Sequence, residues 1–284
     1  MRWQGRRTSD NVEDRRGIGR KGIAIGGGLG GIVVLALVLL LGGDPSEVIQ
    51  SLQTDQTTYS TETSQPLSEE DQAMGEFVSV VLANIEDVWN QYFSQMGETY
   101  REPKLVLYTD QVSSACGYAG SATGPFYCPG DEKVYLDISF FQEMQAQLGA
   151  PGDFALAYVI AHEVGHHVQN LLGIEGEVRA QRGRVSEEEY NRLSVRMELQ
   201  ADFLAGVWAH YAQQATGFLE EGDIEEGINA AGAVGDDRIQ RQTQGYIVPD
   251  SFTHGTSQQR ARWFRKGLAS GDLSQGDTFG AVSL

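Results

Sequence analysis

The stretch from Gly22 to Gly43 constrains this chain more than any other: 22 consecutive residues carry no charge, between Lys21 and Asp44. As a helix it reaches roughly 33 Å, about the thickness of one bilayer core. The run predicts a single transmembrane helix over 22–43. Residues 1–21 hold seven basic residues (Arg2, Arg6, Arg7, Arg15, Arg16, Arg20, Lys21) and three acidic ones. That bias predicts a basic cytoplasmic tail over 1–21 and a body outside the cytoplasm. The expected location is the bacterial inner membrane, single-pass, with the C-terminal domain periplasmic or extracellular. A cleaved signal peptide is the competing reading, because Ile32–Leu41 alone has the size of an apolar signal core. The Leu41–Pro45 exit is a poor cleavage site. Gly26/Gly30 and Gly27/Gly31 repeat a spacing that lets two helices approach, which allows a homodimer through the anchor.

The whole chain has a net charge of −18, so with +4 in the tail the remainder carries −22. An acidic body of this kind excludes a nucleic-acid partner, which would need a basic face. Cys116 and Cys128 are the only cysteines, too few for a four-thiolate cluster. In an exported body two thiols twelve apart predict a loop-closing disulfide.

Residues 44–67 are rich in Ser, Thr, Gln and Asp and read as a polar linker. The domain is expected over 68–284. Ser68 with Glu69–Asp71 signals a helix start, and Phe77, Val81, Ile85, Val88 and Trp89 continue it toward Gly97. Two β-rich runs follow, Lys104–Thr109 and Lys133–Ile138. Beyond Asp153 the pattern is helical almost to the end, and the acidic run from Glu220 to Glu226 reads as a helix start. The expected fold class is α+β, mostly helical with a small sheet, preceded by one transmembrane helix.

Phe154, Tyr158, Ala161, Gly165, Val168 and Leu172 recur at steps of four and three, one buried helical stripe. His162 and His166 each sit one position beyond that stripe, four apart, so both imidazoles can reach one ion. Glu163 stands between them in His162-Glu163-Val164-Gly165-His166, the HExxH arrangement, as a carboxylate for general-base chemistry rather than ligation. His167 points about 100° away and is read as a supporting or surface residue.

Zinc needs a third protein ligand if one position is to stay open for catalysis. A second helix, begun by the Ser186/Glu189 capping box, carries Leu193, Met197, Ala201, Leu204 and Trp208 as its stripe. Glu198 and Asp202 flank that stripe as the histidines flank theirs. Packed antiparallel, the two helices would make Glu198 the third ligand and let Asp202 orient a ligand ring, His162 first among them. The competing reading is an exposed face paired with Arg192 or Arg196. His254, in the loop before a basic helix, is either a donor to a developing oxyanion or a cap of that helix.

These residues resemble the bacterial membrane-anchored neutral zinc metallopeptidase family. The resemblance runs through Met1-Arg2-Trp3, the Gly-rich anchor, Gly124-Pro125-Phe126-Tyr127-Cys128-Pro129 and Val134-Tyr135-Leu136-Asp137. It continues through His162 to Gln169, Glu198-Leu199-Gln200-Ala201-Asp202 and His254-Gly255-Thr256-Ser257. More distantly, the Glu-x-x-x-Asp element and the spacing from His254 to Arg260 are similar to gluzincin peptidases. The resemblance implies a zincin fold, a Zn2+ cofactor and Glu198 as third ligand. The gap from His166 to Glu198 is longer than in thermolysin-like enzymes, so their cleft details do not carry over.

The expected function is a membrane-anchored zinc-dependent endopeptidase acting on protein or peptide substrates, with Glu163 as general base and His254 at the oxyanion. The alternatives are a non-catalytic zinc-site domain that binds partners at the membrane, and a hydrolase of cell-wall peptides built on the same residues.

Overall fold

The computed structural model describes residues 1–16, 67–120, 123–146 and 149–284. The expected transmembrane run 22–43, with its proposed homodimer contact, and the expected linker 44–67 up to residue 66 lie outside the described residues. Among the described residues no helix is long and apolar enough to cross a membrane.

The sheet is built from Val12–Asp14 (β1), Lys104–Tyr108 (β2), Phe126–Cys128 (β5) and Lys133–Asp137 (β6), in the order β1-β2-β6-β5. β1, β2 and β6 run parallel, and β5 is antiparallel to β6. Gln111–Ser114 (β3) and Gly117–Gly120 (β4) form a separate antiparallel hairpin. The run Leu105-Val106-Leu107-Tyr108 is apolar throughout because both its faces are covered, as parallel strands require. Leu105 and Leu107 join the main core with Val134 and Leu136. Val106 and Tyr108 point the other way, into a second cluster with Tyr135 and Cys128. Cys128 is disulfide-bonded to Cys116.

The helices are Glu69–Gln95 (α1), Phe140–Ala146 (α2), Asp153–Leu171 (α3), Ile174–Arg179 (α4), Glu187–Thr216 (α5), Asp223–Ala233 (α6), Asp236–Gln244 (α7) and Ser257–Ser270 (α8). α1 buries Phe77, Val81, Ile85 and Trp89, the stripe read from its sequence, and Gly97 beyond its end has φ +76°. Asp223, Glu225 and Glu226 occupy the first turn of α6, where the helix dipole favours them. α5 and α8 cross so closely that a Cβ on Gly267 would lie 2.0 Å from the Phe203 carbonyl oxygen, and one on Gly206 2.2 Å from that of Phe264. This crossing brings the N-terminal part of α8 against the middle of α5.

One expectation changes. Residues Met1–Arg15 are not a tail apart from the domain but belong to the same compact unit as Glu69–Leu284. β1 is a strand of the sheet, Trp3 packs edge-on against Phe77 with centroids 5.4 Å apart, and the Met1 amine lies 3.1 Å from Asp153 and 3.4 Å from Asp223. Part of the reason is that Arg2 finds Glu220 and Arg7 finds Glu86 and Asp87 on the domain.

Candidate metal centre

α3 and α5 pack antiparallel with little between them: a Cβ on Gly165 would sit 3.1 Å from the Ala201 carbonyl oxygen. Glycine inside the His162–His166 turn thus lets the histidine-bearing flank approach the flank of Glu198 and Asp202. His162 Nε2 lies 3.1 Å from Glu198 Oε2 and His166 Nε2 3.4 Å from Glu198 Oε1. One ligand atom from each of these three residues falls within 4.8 Å of the others. Two imidazole nitrogens and a carboxylate oxygen at that spacing suit zinc, which takes nitrogen and oxygen ligands at about 2.0–2.2 Å.

The outer nitrogens of both rings are held. Asp202 Oδ1 is 2.9 Å from His162 Nδ1, and Gln169 Oε1 is 2.9 Å from His166 Nδ1. Each acceptor fixes the proton on Nδ1 and leaves Nε2 to face Glu198. Gln169 is itself fixed, donating to the Met197 carbonyl at 2.7 Å and to Gln200 at 3.0 Å. Asp202 is fully buried and also accepts from the Tyr158 hydroxyl and from both Nε and Nη2 of Arg260. Tyr158, Gln169 and Arg260 are supporting residues the sequence reading did not assign. Tyr158 stands one turn before His162 on the same face, the signal that could have found it.

Arg192 pairs with Glu188 and Glu189, and Arg196 donates to the carbonyls of Phe279 and Ala281. Neither arginine takes up Glu198 or Asp202 in an exposed salt bridge. His167 is buried rather than at the surface: Nδ1 meets the Tyr127 hydroxyl at 2.9 Å and Nε2 the Arg101 carbonyl at 2.6 Å. It ties α3 to β5.

Glu163, buried but for its edge, lines a cleft of about 460 Å³ together with His162, His166, Glu198, His254 and Arg260. A larger cavity of about 800 Å³, bounded by Leu172, Val178, Leu193 and Phe279, contains none of the three ligand residues. His254 reaches the cleft from a built loop. The backbone N–H groups of Thr253, His254 and Gly255 donate to Asp236 Oδ2 at 2.8, 2.7 and 3.0 Å. Its Nδ1 lies 3.2 Å from Asp236 Oδ1. The cap of α8 is Thr256, in a capping box with Gln259, which removes the reading of His254 as that cap.

The charges of the metal-free site are strongly coupled. Burial pushes the His162 imidazolium down, but the carboxylates of Asp202 and Glu198 outweigh it and lift it from 6.5 to about 9. Burial would raise Glu198, yet His166 and His162 hold it well below the usual carboxylate range. For Asp202, Arg260 and His162 overcome burial in the same direction. His254 is raised, because Asp236 and Glu198 outweigh burial and the opposing Arg260.

A family model described as "Putative neutral zinc metallopeptidase" matches residues 1–279. The chain is 53% identical over 286 residues to the uncharacterized protein YpfJ of Escherichia coli K12, covering 99% of each. It is 48% identical over 195 residues to the uncharacterized protein Rv2575 of Mycobacterium tuberculosis, covering 65% of each. No solved structure matches the chain. On this coverage, and with a His–His–Glu group able to hold the Zn2+ that the family implies, the chain belongs to the putative neutral zinc metallopeptidase family.

Proposed function

We propose that this chain is a zinc-dependent endopeptidase, held at a membrane through residues 22–43. The observation that carries the reading is the meeting of His162, His166 and Glu198 in one cleft with Glu163 beside them. Zinc held by His162, His166 and Glu198 would supply Lewis-acid polarisation of a carbonyl and of the attacking water.

The protein's own residues do the rest. His162, His166 and Glu198 bind the ion, and Asp202 and Gln169 keep the two rings turned with Nε2 inward. Glu163 takes a proton from the attacking water and passes it to the leaving amine, general acid–base work for which a carboxylate at the cleft wall is suited. His254, whose Nδ1 lies 3.2 Å from Asp236 Oδ1 and whose charged form Asp236 and Glu198 favour, donates to the oxyanion that develops on the substrate carbonyl. Tyr127 and Phe126 of β5 offer apolar cleft wall to a peptide.

The test is cleavage of an unfolded protein by the purified protein, with and without a chelator. Loss with the chelator and recovery on adding zinc supports the reading; no chelator-sensitive cleavage favours a zinc-site domain that only binds partners. Replacing 22–43 by a polar linker of equal length should move the protein out of the membrane fraction.

A further inference from the structure

We propose that residues 1–15 and the metal-centre domain lie on the same side of the membrane, so that no net crossing separates them. A single crossing by 22–43 would put its two flanks in different compartments. The folded domain needs both flanks.

The pairing is extensive. β1 is in register with β2 at Val12↔Leu105, Glu13↔Val106 and Asp14↔Leu107. The Leu105 N–H donates to the Asn11 carbonyl at 2.9 Å and the Arg15 N–H to the Leu107 carbonyl at 2.8 Å. Ser9 exchanges bonds with Ser79 of α1 at 3.0 and 2.9 Å. Lys133 on β6 reaches Glu13 at 2.7 Å. Glu86 is only 2% exposed, and its carboxylate meets Arg7, Ser9 and Asn11, all from this segment. Withdrawing residues 1–15 would leave that carboxylate buried without these partners, which proteins avoid. Pairing of β1 with β2 of a second copy would place the segment on the same side as well.

Arg6 and Arg7, two of the seven basic residues behind the positive-inside reading, are engaged with the domain. Arg7 reaches Asp87 at 2.8 Å and the Ala83 carbonyl at 2.7 Å. Arg6 donates to the Thr216 carbonyl at 3.0 Å. A charge bound into the domain goes where the domain goes, so these residues do not hold the N-terminus in the cytoplasm by themselves. The 22-residue run suffices for one helical crossing, whereas two would need about forty residues. The inference does not depend on the peptidase reading.

Single cysteines in the full chain test it. The two native cysteines are joined, so the parent protein gives the labelling background. Asp10→Cys and Val282→Cys, both at exposed positions, are treated with a membrane-impermeant maleimide in intact spheroplasts and after permeabilisation. Thr8→Cys and Ser283→Cys, also exposed, form the second pair should either first variant fold poorly. Equal labelling at both ends, before or only after permeabilisation, is the expected result. Labelling of one end in intact spheroplasts with loss of labelling at the other overturns the proposal.

Discussion

Arg260 grips Asp202 with two bonds, Nε to Oδ2 at 2.8 Å and Nη2 to Oδ1 at 2.9 Å, and both side chains are buried. The pair links α8 to the ligand ring of His162, whose Nδ1 shares the same carboxylate. Removing one partner leaves an uncompensated buried charge, a loss of about 3–5 kcal/mol. Arg260→Leu is expected to lose that much stability in a denaturant titration. Asp202→Asn, which keeps the shape but not the charge, is expected to weaken zinc binding about 10–100-fold, the usual size of such an outer-residue loss. Competition with a zinc chelator reads it. Unchanged affinity in Asp202→Asn would contradict the orienting role.

The coupling of His162 to Asp202 and Glu198 predicts a pH dependence. Its imidazolium is raised from 6.5 to about 9 in the metal-free site. In the sense of linkage, a raised histidine stabilises the metal-free fold fully below about pH 6.5, and that contribution is lost as pH rises through about 9. Zinc requires the neutral ring. Zinc binding near neutral pH should therefore release protons and tighten as pH rises toward 9. Calorimetry in buffers of different ionisation enthalpy measures the release; a buffer-independent heat would contradict it.

Much of the site could be read from the chain because its signals are local. The stripe from Phe154 to Val168 fixes which way α3 turns, and with it His162 and His166, whereas Leu172, expected in it, caps the helix and is exposed; the Ser186/Glu189 cap does the same for Glu198 and Asp202. β1 escaped because three residues with one apolar side chain, Val12, carry no periodicity, and its partner Leu105 is far away in sequence. The β3–β4 hairpin and β5 escaped because runs of three or four residues are too short to show an alternation, although their partners are close in sequence. Arg260 stood out only by its spacing from His254 at the head of a basic helix, which does not tell which of that helix's charges turns inward. Yet Arg260, Phe264 and Gly267 lie on one buried face at helical spacing, and Arg260 is the member of that face whose charge meets a partner.

The α5–α8 crossing predicts unequal costs for two similar substitutions. Gly267→Ala puts a methyl group 2.0 Å from the Phe203 carbonyl oxygen and is expected to lose at least about 1–3 kcal/mol by overpacking. Gly176→Ala in α4 meets nothing within 4 Å and should gain roughly 0.5–1 kcal/mol from lower unfolded-chain entropy. Thermal unfolding of the two variants checks the contrast.

The Cys116–Cys128 bond predicts protection from alkylation. In protein isolated under thiol-trapping conditions both cysteines should react only after reduction, since such bonds persist in oxidising compartments. Two free thiols in freshly prepared membranes would point to a reducing location for the domain.

The central claim is that Glu163 moves protons while His162, His166 and Glu198 hold the metal, and Glu163→Gln separates the two. The measurement is proteolysis and zinc content on the same preparation. The account predicts about one zinc per chain in both proteins and a fall in turnover of at least ~10²–10⁴-fold in the variant. Cleavage by Glu163→Gln at the parent rate, with zinc retained, would contradict it.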